Sequence, residues 1–86
     1  MSDSLNAGPL SAGLGLRAAR ERCGLSLSDL SQHTRIDQRF LRGIEEADYA
    51  GFPARLFAVG FAKSYARALG EPGDAVAAEA RACFGA

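Results

Sequence analysis

The stretch Gly24-Leu25-Ser26-Leu27-Ser28-Asp29-Leu30-Ser31-Gln32-His33-Thr34-Arg35-Ile36-Asp37-Gln38-Arg39-Phe40-Leu41-Arg42-Gly43-Ile44-Glu45 reads as two short helices joined by a turn. Ser26 opens the first, and Asp29 three places on has the spacing of a capping box. Leu27 and Leu30 then fall on its inward face, and Ile36 is the apolar residue of the turn. Asp37 is a strong N-cap for the second helix, which is expected to continue to about Glu46. In a helix–turn–helix arrangement of this kind the second helix projects polar side chains outward, in a position to enter a groove. The pattern points to recognition rather than catalysis.

Outward from this unit, Met1 to Gly13 is rich in Ser, Gly, Asn and Pro without apolar periodicity, and is expected to be a flexible leader. Residues 14–86 are expected to form one domain. Its first helix should run from about Leu14 to Cys23, with Leu16 and Ala19 inward and Gly24 as the stop. Ala47 to Phe52 reads as a loop, and Pro53 suits the first position of a fourth helix ending at about Leu69, before Gly70. Pro72 is expected to open a fifth helix ending near Phe84. The fold class expected is all-α, a compact bundle of five helices.

Composition narrows the function. The 86 residues contain no run of about 18 apolar residues that would span a membrane. The start has no basic region followed by an apolar stretch, so no secretory signal is read there. A cytoplasmic location is expected, either free or as the cytoplasmic part of a longer membrane-anchored protein. Cys23 and Cys83 with the lone His33 cannot make an ordinary four-ligand zinc site, so no metal is expected. The two cysteines are expected to be small buried apolar side chains, and His33 to lie at a partly exposed helix end. No Ser/His/Asp arrangement or phosphate loop is present, so no enzyme, cofactor or small-molecule substrate is expected. Acidic and basic residues cancel, but residues 1–43 carry a net +2 and residues 44–86 a net −2. An anionic partner would therefore approach the first half.

On a wheel of the third helix, Phe40, Leu41 and Ile44 share an arc of roughly 100° and are expected in the core. Gln38, Arg39, Arg42, Gly43 and Glu46 fall on the other side. Gln pairs bidentately with adenine and Arg with guanine, so Gln38, Arg39 and Arg42 are candidate base readers. Arg35 in the turn, with Arg17 and Arg20, would hold phosphates. Double-stranded DNA is the partner this face suits, and specificity from so small a chain would need a homodimer or a partner protein. The acids Glu45, Glu46 and Asp48 crowd the far end of the helix and oppose close docking on a phosphate backbone.

The fourth helix is apolar over about 200°, twice what one core-facing stripe needs. Phe57 and Phe61, four residues apart, lie at one edge of that arc as candidate protein-docking anchors, with Lys63 and Tyr65 taken beside them.

From Gly15 to Gly70 the chain resembles the cytoplasmic domain of RodZ-type cell-shape proteins, a relative of phage-repressor-like helix–turn–helix domains. The resemblance is carried by Leu16-Arg17-Ala18-Ala19-Arg20-Glu21, Gly24-Leu25-Ser26, Thr34-Arg35-Ile36, Ile44-Glu45-Glu46 and Phe57-Ala58-Val59-Gly60-Phe61-Ala62-Lys63-Ser64-Tyr65-Ala66-Arg67. It implies a five-helix repressor-like fold. It also implies docking on the bacterial actin MreB through aromatic residues of the fourth helix, at positions matched here by Phe57 and Phe61. Two features depart from it. Leu27 stands where repressor-like relatives often carry a phosphate-binding Gln, while Gln38, Arg39 and Arg42 are more DNA-like than docking on MreB requires. A DNA-binding regulator is the first reading of the sequence, and a RodZ-like docking module the alternative.

Overall fold

The computed structural model describes residues 12–83, and among them the chain forms five helices and no strand. These are α1 (Ala12–Arg22), α2 (Leu27–Thr34), α3 (Gln38–Glu46), α4 (Arg55–Ala68) and α5 (Asp74–Cys83).

The boundaries around the central unit have local causes. Gly24, at φ +72°, ends α1, because only a residue without a Cβ takes that conformation at little cost. Ser26 and Asp29 then form a reciprocal capping box, with both bonds at 2.9 Å. The turn between α2 and α3 is tied by two side chains. Ser31 Oγ donates to the Ile36 carbonyl at 2.6 Å, and Thr34 Oγ1 accepts from the Ile36 amide at 3.2 Å. Ile36 is thereby held inward, and Asp37 Oδ1 accepts from the Arg39 amide at 3.0 Å to cap α3.

The core is built on Leu16, Leu30, Leu41, Ile44, Tyr65 and Val76, one or more from each helix. α4 and α5 pack on each other, and both bury small side chains, Ala58, Ala62 and Ala66 on one and Ala77 and Ala80 on the other, which suits a close approach of helices. Gly13 plays the same part between α1 and α3: a Cβ there would lie 2.0 Å from the Ile44 carbonyl oxygen. α1 is also capped from a distance. Glu79 on α5 accepts from the amides of Ala12 and Gly13 at 3.1 and 3.3 Å, setting a carboxylate on the positive end of that helix.

Several expectations are corrected. α1 begins at Ala12, so Ala12 and Gly13 belong to the domain; the rest of the expected leader lies outside the described residues, as does Phe84. Neither proline opens its helix. α4 starts at Arg55 after an extended Ala54 that makes no side-chain cap, and α5 starts at Asp74. Phe52 is drawn in against Tyr49 and Phe40, and the chain bends at Pro53 before the extended Ala54 leads into α4. Leu27 and Phe40 are half-buried against the core rather than within it. Gly43 faces inward, because a Cβ there would meet the Asp48 carbonyl at 2.6 Å and the Phe52 ring at 3.0 Å. Both cysteines are exposed: Cys23 follows the last turn of α1 and Cys83 closes α5.

Candidate recognition surface

α3 presents Gln38, Arg39 and Arg42 to solvent, with Arg35 exposed in the turn before it. Arg35 has a left-handed backbone at φ 65° and closes α2 through its amide, so its side chain leaves the fold beside the start of α3. Arg39 is engaged locally, with its guanidinium carbon 4.8 Å from the centre of the Phe40 ring. Arg39 and Arg42 also line a cleft floored by Phe40 and Phe52 and shared with Glu46 and Asp48. Those two carboxylates offset the positive charge of the α3 face.

The remaining candidate cations are placed differently. Arg17 is exposed and pairs with Glu21 one turn on at 3.3 Å, a contact of small energetic weight. Arg20 lies inside. Its Nε donates to Glu45 Oε2 at 2.7 Å and its Nη1 to the Leu25 carbonyl at 2.8 Å, so the guanidinium is spent within the fold. Tyr65 is fully buried and donates its hydroxyl to the same Glu45 carboxylate, which removes it from any docking surface. Burial, and then Glu45, push the Tyr65 hydroxyl well above its ordinary range; the hydrogen bond to Glu45 raises the Arg20 guanidinium. Arg20, Glu45 and Tyr65 therefore tie α1, α3 and α4 together.

α4 supplies the apolar part of the surface. A run of tilted rings leads from the interior to water: Tyr49 to Phe52 at 5.0 Å, Phe52 to Phe40 at 4.9 Å, Phe40 to Phe61 at 5.5 Å, and Phe61 to Phe57 at 5.9 Å. Phe52 is 8% exposed and Phe57 50%. Leu56 beside it is 79% exposed. Full burial of such side chains is worth roughly 1.5–3 kcal/mol each, and here much of that is left unrealised. Leu56 escapes notice in the sequence, although its wheel neighbours Gly60, Lys63 and Ser64 place it on the outer side. Lys63 is half-buried and shares a cleft with Arg67, Glu71 and Asp74 at the other end of α4.

This fold, with an exposed polar helix beside an apolar ridge, is of the helix–turn–helix class. The chain belongs to the helix-turn-helix domain family, whose match covers residues 15–76. It is also similar to the uncharacterized membrane protein YmfM of Bacillus subtilis (strain 168), at 38% identity over 50 residues. That alignment takes in 58% of this chain and 17% of the relative, so the chain corresponds to a small part of that protein. No solved structure gives a significant match. No helix among the described residues is long and apolar enough to cross a membrane.

Proposed function

We propose that this domain is a protein-docking module that anchors on its partner through Phe57 and Leu56 of α4, with Phe61 buttressing them. The observation that carries the reading is the exposure of Leu56 and Phe57 at the end of a ring series rooted in the core. Rigid aromatic side chains already held in place lose little entropy on binding, which is what interface anchors require. The RodZ resemblance makes the bacterial actin MreB the named partner. The similarity to a protein described as a membrane protein fits a domain working at the cytoplasmic side of a longer, anchored chain. The role needs no cofactor and no catalysis.

A second reading, DNA binding through α3, is favoured by the joint exposure of Arg35, Gln38, Arg39 and Arg42. It is weakened by three placements. Arg20 is spent on Glu45, Leu27 is half-buried at the start of α2, and Glu46 and Asp48 share the cleft of Arg39 and Arg42. A duplex is held mainly by phosphate neutralisation, and this face offers little surplus charge for it.

The test is co-sedimentation of the chain with polymerised MreB, run beside a mixed-sequence duplex titration at low and physiological salt. Pelleting with filaments and no salt-sensitive duplex binding is the expected result. Duplex binding without pelleting would overturn the docking reading in favour of the second.

A further inference from the structure

The sequence of α4 repeats itself. Phe57-Ala58, Phe61-Ala62 and Tyr65-Ala66 place an aromatic–alanine pair every four residues. The three alanines are fully buried, and the rings pass inward step by step, from exposed Phe57 through half-buried Phe61 to buried Tyr65. Four residues carry a helix about 6 Å along its axis and about 40° around it. Sliding α4 by one such step along this ridge would bring an aromatic–alanine pair to the place that another had left. The apolar side chains that α3 turns to the core, Phe40, Leu41 and Ile44, hold by non-directional contact and discriminate weakly between the two placements.

One atom breaks the repeat. The third ring carries a hydroxyl, and that hydroxyl donates to Glu45 of α3, whose carboxylate also accepts from Arg20 Nε of α1 at 2.7 Å. Among the described residues this is the one side-chain hydrogen bond that α4 makes with another helix. Phe40 on Phe61 and Glu45 on Tyr65 are thus two rungs across one pair of helices, five residues apart on α3 and four on α4. A slide of one step either way would set Phe61 or Leu69 beside the buried carboxylate and strip the Arg20–Glu45 pair of its third partner. A buried ion pair adds little net stability; a buried polar contact can instead fix the register of helices whose apolar surfaces leave it open.

We infer that the Tyr65 hydroxyl is a register pin. With Glu45 and Arg20 it selects the placement of α4 in which Phe61, rather than Phe57 or Tyr65, lies on Phe40, and Phe57 is left in water. A slip that seats Phe57 on Phe40 withdraws it from the surface. That last consequence for recognition rests on the docking reading; the selection of register does not.

The experiment is NMR of the 86-residue chain with isotope-labelled phenylalanine, in three variants and a control. Tyr65→Phe removes the pin. Arg20→Met/Glu45→Leu/Tyr65→Phe removes the whole polar rung and strands no charge, so it keeps its stability. Phe61→Tyr/Tyr65→Phe moves the hydroxyl back by one repeat. Tyr49→Phe, outside α4, deletes the other tyrosine hydroxyl as the control. The native chain and Tyr49→Phe should give one set of ring signals, with a nuclear Overhauser contact between Phe40 and Phe61. Tyr65→Phe and the triple variant should each give a second set, with Phe40 against a neighbouring ring of the repeat, at unchanged helix content by circular dichroism. In Phe61→Tyr/Tyr65→Phe the set with Phe40 against Phe57 should become the major one, and co-sedimentation with polymerised MreB should weaken by about tenfold. A single native-like set in all three variants overturns the pin, whatever happens to their melting temperatures. A second set in Tyr49→Phe overturns it too, because loss of any buried hydroxyl would then suffice. Second sets confined to the three variants, with no MreB binding by the native chain, uphold the pin and overturn the docking reading.

Discussion

The rings of Phe40 and Phe61 lie 5.5 Å apart, and through them the polar face of α3 and the apolar edge of α4 become one surface. In the sequence these are two separate faces serving two separate readings. In the fold, Arg39 rests on Phe40, Phe40 meets Phe61, and Phe61 meets Phe57. A partner seated on Leu56 and Phe57 comes near Arg39 as well. Substitutions meant to separate the two readings must therefore lie at the ends of this series, at Phe57 and at Arg42 or Arg35, rather than at Phe40 or Phe61.

Phe57→Ala is the substitution of choice on the docking side. Half of the ring is already in solvent, so stability should fall by no more than about 1 kcal/mol. As an interface anchor it should cost about 2 kcal/mol or more of binding, roughly thirtyfold in Kd. Urea denaturation and filament co-sedimentation of the same variant measure the two quantities. Equal loss in both would mean that Phe57 serves the fold alone.

Two glycines of α1, two positions apart, should respond to alanine with opposite signs. Gly13→Ala drives a methyl into the Ile44 carbonyl oxygen and should cost about 3 kcal/mol, or separate α1 from α3. Gly15→Ala enters open space in an exposed helical turn and should stabilise by about 0.5–1 kcal/mol. Denaturant midpoints of the pair decide the matter, and a destabilised Gly15→Ala would contradict the packing described.

The Arg20–Glu45 pair is buried, so removing one partner strands the other. Glu45→Ala should cost about 3–5 kcal/mol, whereas the apolar double replacement Arg20→Met/Glu45→Leu should recover most of that loss. Tyr65→Phe, which deletes only the hydroxyl on Glu45, should cost about 1–2 kcal/mol. A Glu45→Ala protein as stable as the native chain would show the pair to be exposed in solution.

Alkaline pH should unfold the domain through its buried tyrosines. The hydroxyls of Tyr65 and Tyr49 are both held well above the ordinary value of 10, chiefly by burial. The unfolded chain releases these protons near pH 10 while the folded chain keeps them. Their contribution is thus complete below about pH 10 and lost as pH rises beyond it. Denaturation midpoints at about pH 8 and about pH 11 should differ, with the native chain weaker at the higher value; a flat profile would contradict the burial.

At the acid end, Asp29 is held below its ordinary 3.8 by the hydrogen bonds from the backbone and side chain of Ser26. A depressed carboxylate stabilises the fold above its unfolded pKa and loses that effect as pH falls through the folded value. Ser26→Ala keeps the backbone donor, the larger cause, and should return the Asp29 titration, followed by NMR, only part of the way toward 3.8. A native chain whose Asp29 already titrates at its ordinary 3.8 would mean that the capping box is absent in solution.

What was legible in the sequence follows from the range of the interactions involved. The boundaries around α2 and α3 depend on side chains reaching two or three residues along, Ser26 with Asp29 and Asp37 with the Arg39 amide, so they can be read locally. Gly24 and Gly70 mark stops because both take positive φ. Pro53 and Pro72 mislead, since a fixed φ suits an extended approach to a helix as well as its first turn. The surface shows the same division. Phe57 and Phe61 stand out as an excess of apolar arc on α4. Tyr65, four residues beyond Phe61, lies about 40° further round the wheel and passes into the core. Arg20 carries a local signal, since it lies one turn after Leu16 on the inward stripe of α1, where a charge needs a buried partner. That the partner is Glu45 and the third member Tyr65 depends on how α1, α3 and α4 pack, which no local pattern encodes. Leu56 is not legible for a simpler reason, because a lone exposed leucine is ordinary until its aromatic neighbours are placed beside it.

The central claim is that recognition runs through α4. NMR titration of the isotope-labelled chain with MreB, and separately with a mixed-sequence duplex, tests it most directly. MreB is expected to shift or broaden the amides of Leu56, Phe57, Gly60 and Phe61, while the duplex leaves the chain unmoved at physiological salt. Shifts confined to Arg35 through Arg42 with the duplex, fading as salt rises, and none on α4 with MreB, would contradict it.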